Sequence, residues 1–214
     1  MATLPIYKFL KTDILCAIII NGLMLSDLIT SQSRIQLLTV FLTSPYDMYH
    51  VRELVRRTGD EINAVRRELL FLEKKGILVK EQRANRLYYS LSRNYPFYND
   101  LLKLAAKIIG LGSEVLKNRA KLGKIKYGMF SGRFVKRNKK SSDEVDLLVV
   151  GTIVIPELAL LIRNEEKRLS TEINYTVMTE DEFDFRKKKN DPFIAAILAG
   201  SRVMLIGDEE SMLA

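Results

Sequence analysis

At 214 residues, with 47% hydrophobic and 28% charged residues, the chain has ordinary globular composition and enough length for two domains, which excludes disorder along its whole length. A lone cysteine, Cys16, rules out an intrachain disulfide; with His50 as the only histidine, neither a Cys/His zinc site nor a Ser/His/Asp triad has its residues, whereas carboxylate-bound Mg²⁺ stays open and a reducing, cytoplasmic setting is expected. The net charge of +8 is uneven: +1 over residues 1–23, +5 over 24–110 (14 Lys and Arg against 9 Asp and Glu), +9 over 111–140 (10 against 1) and −7 over 141–214 (8 against 15), so the front and middle of the chain would carry any attraction to a polyanion.

The first long apolar run, ILCAIIINGLML from Ile14 to Leu25, follows Lys8 and Lys11. It is shorter than the roughly 20 apolar residues that a membrane span needs, and the SDLITSQS after it offers no convincing cleavage site for secretion. A helix packed on the domain or on a partner chain is expected, with translation from Met24 as the alternative. Residues 1–23 are then an extension or a helix, and no membrane association follows.

Ser33 to Leu42 places Ile35, Leu38, Val40, Phe41 and Leu42 at helical spacing behind a serine-rich lead-in that can cap the first turn. Ser44-Pro45-Tyr46-Asp47 is a turn signal, and Tyr49 to Thr58 reads as a second short helix with Val51, Leu54 and Val55 inward. Gly59 ends that helix, and Asp60 is the expected N-cap of the next. The third helix sets Ile62, Val65, Leu69 and Leu72 on one stripe and turns Asn63, Arg66 and Arg67 elsewhere. Ile77 to Gln82 and Leu87 to Leu91 then read as a β-hairpin joined by the polar tip Arg83, Ala84, Asn85 and Arg86. His50 reads as a helix-start or surface histidine, and of Tyr88 and Tyr89 one is expected in the core and the other exposed.

Helix, tight glycine turn, helix and hairpin make a winged helix-turn-helix pattern. Over Ser33 to Tyr98, and most specifically in INAVRRELLFLEKKGILV, the chain resembles the winged-helix transcriptional regulators of the ArsR and MarR type. That resemblance implies a helix that enters the major groove of double-stranded DNA and a hairpin tip that touches its backbone. Asn63, Ala64, Arg66 and Arg67 would then face bases or nearby phosphates, and Arg83, Asn85 and Arg86 would form the wing tip. The chemistry fits, because Asn can bond adenine and Arg guanine in a bidentate way. The helix also contains Glu68, Glu73, Lys74 and Lys75, and surface ion pairs among its charges are the competing use of them.

Residues 99–123 are expected to form a linker helix, with Leu101, Leu104, Ala105, Ile108 and Ile109 on its apolar face and an interruption at GLGS, 110–113. Lys117 to Lys140 is strongly basic, with Lys136, Arg137, Lys139 and Lys140 in a loop that can track phosphates or simply be solvated. Beyond residue 124, strands alternate with helices. Ile125 to Phe130, Val145 to Val150, Ile173 to Met178 and Val203 to Ile206 read as strands. Pro156 to Leu169 reads as a helix, and Thr179 and Asp191-Pro192 open two more.

This region, Lys124 to Asp208, resembles the minimal nucleotidyltransferase domain, chiefly in EVDLLVVG, EINYTVMTEDEF and DPFIAAILAGSRVMLIGDEE. Active members carry Gly-Ser on the first strand, Asp-x-Asp entering the second and a later third carboxylate, which together hold Mg²⁺ for phosphoryl transfer. Here Phe130-Ser131-Gly132 reverses the first element, Glu144 and Asp146 on one face of a strand make the second Glu-x-Asp, and the third position falls on Asn174, with Glu172 on the same face. A non-catalytic domain is expected, kept for dimerisation, partner binding or sensing a nucleotide-like ligand.

The whole reads as a two-domain α+β and α/β protein: residues 24–98 a winged helix, 124–214 a nucleotidyltransferase-like small mixed sheet with flanking helices. The expected function is DNA-binding transcriptional regulation by a homodimer without a cofactor. The alternatives are an active Mg²⁺-dependent nucleotidyltransferase and a protein-interaction module.

Overall fold

A computed structural model describes residues 29–137 and 144–214. The run Ile14–Leu25, the extension 1–23 and the loop residues Lys139, Lys140 and Asp143 lie outside the described residues. Helices and two sheets are distributed over two compact units that divide between Ile109 and Gly110.

In the first unit, α1 (Gln32–Thr43) is capped by Ser31, whose hydroxyl accepts from the Arg34 amide. Most of α1 is buried, including Leu37 and Phe41, because it packs against every other helix among the described residues of the unit. The chain then enters a two-residue strand, β1 (Tyr49–His50), before α2 (Val51–Thr58). The expected helix from Tyr49 therefore begins two residues late: Tyr49 pairs with Tyr89 in the sheet and meets Phe41 edge-on, an environment that suits an aromatic strand residue better than a helix start. His50 takes the helix-start role, its Nδ1 accepting from the Glu53 amide at 3.2 Å.

Gly59, at φ 74°, ends α2 in the left-handed conformation that glycine adopts without the steric cost of a Cβ, and its amide returns to the Val55 carbonyl. Three residues later α3 (Ile62–Lys74) begins. Its N-cap is Glu61, not Asp60: the Glu61 carboxylate accepts from the amides of Asn63 and Ala64. Asp60 instead meets the amide nitrogen of Gln36, taken in the orientation that satisfies its neighbours, which also donates to the Thr58 carbonyl. Val65, Leu69 and Leu72 of α3 are fully buried.

Next come β2 (Leu78–Arg83) and β3 (Arg86–Leu91), which form a hairpin whose last pair is Arg83 with Arg86. The tip is accordingly the dipeptide Ala84-Asn85 rather than four residues, and Ala84 takes φ 48° to close it. The sheet order is β1-β3-β2, all antiparallel. Tyr89 is buried and Tyr88 half-buried, so the two tyrosines divide between core and surface. The helix α4 (Tyr98–Ile108) packs on α1 and completes the unit.

In the second unit, α5 (Leu111–Lys117) follows Gly110, whose φ of 63° makes the helix break expected at GLGS. A four-stranded mixed sheet follows: β4 (Gly123–Ser131), β5 (Leu147–Ile153), β6 (Tyr175–Met178) and β7 (Arg202–Ile206), in the order β6-β5-β4-β7. Only β5 and β6 run parallel, which requires the crossover through α7 (Ile155–Leu169). Against one sheet face, Tyr127, Met129, Leu148, Val150 and Met178 pack with Phe183 of α8 (Glu180–Lys188), Ile194 of α9 (Pro192–Ala199) and Met212. Thr179 and Asp191 cap α8 and α9 as their positions require. β6 starts at Tyr175 rather than Ile173, and β5 at Leu147 rather than Val145.

Candidate nucleic-acid interface

The first unit is built as a winged helix-turn-helix: α2 and α3 joined through Gly59-Asp60-Glu61, and the β2–β3 hairpin following α3. The face of α3 opposite its buried stripe carries the residues picked from sequence. Asn63, Arg66 and Arg67 are exposed and Ala64 is half-buried. At about 100° per residue, Asn63, Arg67 and Lys74 fall within about 40° of one another, with Arg66 a further 60° round. Among the described residues neither Arg66 nor Arg67 forms an ion pair. The positions three and four residues from them, Ile62, Asn63, Ala64, Leu69, Leu70 and Phe71, hold no acid, and the glutamates of the helix pair elsewhere, Glu68 with Arg34 at 2.7 Å and Glu73 with Lys80 at 2.7 Å.

The wing tip is exposed throughout. Arg83 pairs with Glu81 along its own strand at 2.7 Å, with Arg86 beside it across the hairpin. Asn85 occupies the turn, where its side chain faces solvent. The same unit thus holds all seven predicted residues, four on one helix and three at one hairpin end.

Sequence reading missed what fixes the angle of α3. Glu68 is only 7% exposed although it is a carboxylate on the helix carrying the arginines. It accepts from the Ser31 hydroxyl and from Arg34 Nε, both at 2.7 Å, and so ties α3 to the first turn of α1. Burial pushes the Glu68 carboxyl up, but those hydrogen bonds and the charges of Arg34 and Arg67 outweigh it and hold the group below the usual carboxylate range. The Arg34 guanidinium also lies 3.8 Å over the Phe71 ring, a second contact between the same helices. Ahead of α3, Gln36 holds the turn at Thr58 and Asp60. Glutamate at a position whose helical neighbours Val65, Leu69 and Leu72 are all apolar was the available signal for this clamp. Leu70, 57% exposed on the arginine face, was also missed.

In the second unit the carboxylate positions differ from the expected pair on a strand face. Glu144 and Asp146 both precede β5. Glu144 is exposed and its carboxylate is engaged by Arg133. Asp146 is buried, accepting from the Asn174 amide at 2.9 Å, while the Asn174 side chain donates to the Glu144 carbonyl. Ser131 caps the short helix α6 (Gly132–Val135), and the Gly132 amide donates to the Ser201 carbonyl at 2.6 Å. These groups join strand ends to one another, and among the described residues no three His, Cys, Asp or Glu side chains are grouped as metal ligands would be.

No protein-family model and no curated protein sequence matches the chain. A comparison with solved structures finds reduced HlyU from Vibrio cholerae N16961, 23% identical, with a TM-score of 0.29 over 45% of this chain and 83% of that one. A likeness at that level adds nothing to what the elements of the first unit display. No helix among the described residues is long and apolar enough to cross a membrane.

Proposed function

We propose that the chain is a DNA-binding transcriptional regulator in which α3 enters the major groove and the β2–β3 wing lies along the backbone. The observation that carries this reading is the outer face of α3: two exposed arginines without ion-pair partners among the described residues, beside Asn63, on a helix tied to α1 at its middle through Glu68 and entered by a turn that Gln36 holds. Helix arginines find local partners at acids three or four residues away. Arg66 and Arg67 have none at that spacing, and Glu68 and Glu73 pair with Arg34 and Lys80, so the two arginines are left available for an outside anion. In this reading Asn63, Arg66 and Arg67 select sequence, the two arginines also neutralising the phosphates beside the bases they face, and Ala64 permits close approach, while Arg83, Asn85 and Arg86 hold phosphates.

The second unit is a non-catalytic nucleotidyltransferase-like scaffold that serves dimerisation, partner binding or ligand sensing. Support comes from the engagement of Glu144 by Arg133 and the burial of Asp146 against the Asn174 main chain, which leaves neither carboxylate presented to a metal-bound phosphate. A homodimer in the cytoplasm, reading a site of two-fold symmetry, is the working assembly. The test is twofold. Titration with duplex DNA at low salt should give binding that weakens when Arg66 and Arg67 are both replaced by Ala. Incubation with labelled nucleoside triphosphates and Mg²⁺ should transfer no label; transfer that disappears in Asp146→Ala would replace this reading with the enzyme.

A further inference from the structure

We propose that Leu70 is a specificity-determining residue that reads the C5-methyl group of thymine in the major groove. The inference rests on the DNA-binding reading of α3 and extends it from polar to apolar readout.

Leu70 is 57% exposed, the most exposed leucine among the described residues. Its place on α3 makes that exposure unusual. The buried stripe of the helix is Val65, Leu69 and Leu72, and Leu70 points the opposite way. At about 100° per residue it falls about 20° from Asn63, about 60° from Arg67 and about 40° from Arg66 and Lys74, which puts it in the middle of the outer face. Arg66 and Arg67 lie one turn before it and Lys74 one turn after, all exposed. An apolar side chain ringed by cations has one feature in common with its neighbours, namely the partner that satisfies all of them.

Duplex DNA is such a partner. Its phosphates and guanine edges attract the cations, and the one apolar group it displays in the major groove is the thymine methyl, against which aliphatic side chains pack. A second copy of this chain is a poorer fit. A two-fold contact centred on Leu70 would set Arg66, Arg67 and Lys74 of one copy against the same cations of the other. Phe71, the other exposed apolar residue on α3, is already covered on one side by Arg34, so the unassigned apolar contact belongs to Leu70.

The methyl group can be removed without any other change by replacing thymine with uracil. Preferred duplexes are selected from a random-sequence pool with the full-length protein, then resynthesised with uracil at each thymine in turn, and dissociation constants are measured by fluorescence anisotropy. At one or more positions the uracil duplex should bind about fourfold more weakly, the equivalent of one buried methyl group. Leu70→Ala should bind the thymine duplex more weakly by a similar factor and should no longer distinguish thymine from uracil there; Leu70→Gln should behave alike. Circular dichroism of both variants should match the parent, since Leu70 supports no core.

Binding with no sequence preference, thymine-to-uracil changes without effect, or a uracil penalty undiminished in Leu70→Ala would each overturn the assignment and leave DNA binding intact. A change in sedimentation of Leu70→Ala without loss of thymine discrimination would assign Leu70 to a subunit contact instead. Failure to bind any duplex would remove the DNA-binding reading itself.

Discussion

Replacing Glu68 with Ala tests the clamp on which the proposed recognition surface depends. The carboxylate is 7% exposed and holds two hydrogen bonds of 2.7 Å, from the Ser31 hydroxyl and from Arg34 Nε. A hydrogen bond to a charged group contributes about 1.5–3 kcal/mol net. The Arg34 side chain is 25% exposed, so water recovers part of its share once the partner is gone, and the expected loss is about 2 kcal/mol. The pH dependence follows from the lowered Glu68 carboxyl: its contribution is complete above the unfolded value, roughly 4.3 for glutamate, and disappears as pH falls through the lower folded value. Urea denaturation followed by circular dichroism should show the parent more stable at pH 7, with the gap closing below about pH 4. A cycle with Arg34→Ala should give a coupling of about 1–2 kcal/mol, because the variants share one contact. A gap under about 0.5 kcal/mol at pH 7, or one unchanged into acid, would refute the clamp.

Other substitutions separate folding from recognition. Glu61→Ala removes the α3 cap and should cost about 1 kcal/mol, whereas Asn63→Ala, exposed just inside the cap, should leave stability within about 0.5 kcal/mol. Arg66→Ala with Arg67→Ala should likewise leave urea midpoints unchanged while weakening DNA binding and reducing the slope of log affinity against log salt by about 2. Gly132→Ala should destabilise by about 1–3 kcal/mol, since a Cβ there collides with the Ser201 side chain, coming 2.9 Å from its Cβ and 3.0 Å from its carbonyl oxygen. Thermal unfolding measures the last.

The first unit was legible in the sequence where the signals were local. Gly59 marks a left-handed residue that few others tolerate, and the three-to-four spacing of Val65, Leu69 and Leu72 fixes the inner face of α3, hence the outer one. Three details escaped. Asp60 and Glu61 are adjacent acids, and which of them caps α3 depends on Gln36 drawing Asp60 toward α1, a contact between residues far apart in the chain. β1 spans two residues and exists only because β3 is there to pair with it. Ala84-Asn85 lacks the glycine that usually announces a two-residue turn, so the tip looked longer than it is. In the second unit the helix caps at Thr179 and Asp191 were legible for the same local reason. The sheet order was not, since β7 reaches β4 from more than seventy residues along the chain. Glu144 and Asp146 were misplaced because alternation says which face a strand residue takes but not where the strand begins.

The central claim is that the outer face of α3 binds duplex DNA, and titration across a salt series tests it most directly. The parent should bind at low salt with log affinity falling linearly as log salt rises, and the double variant lacking Arg66 and Arg67 should bind more weakly with a shallower line. Absence of binding to any duplex at low salt, or equal affinity and slope in parent and double variant, would contradict it.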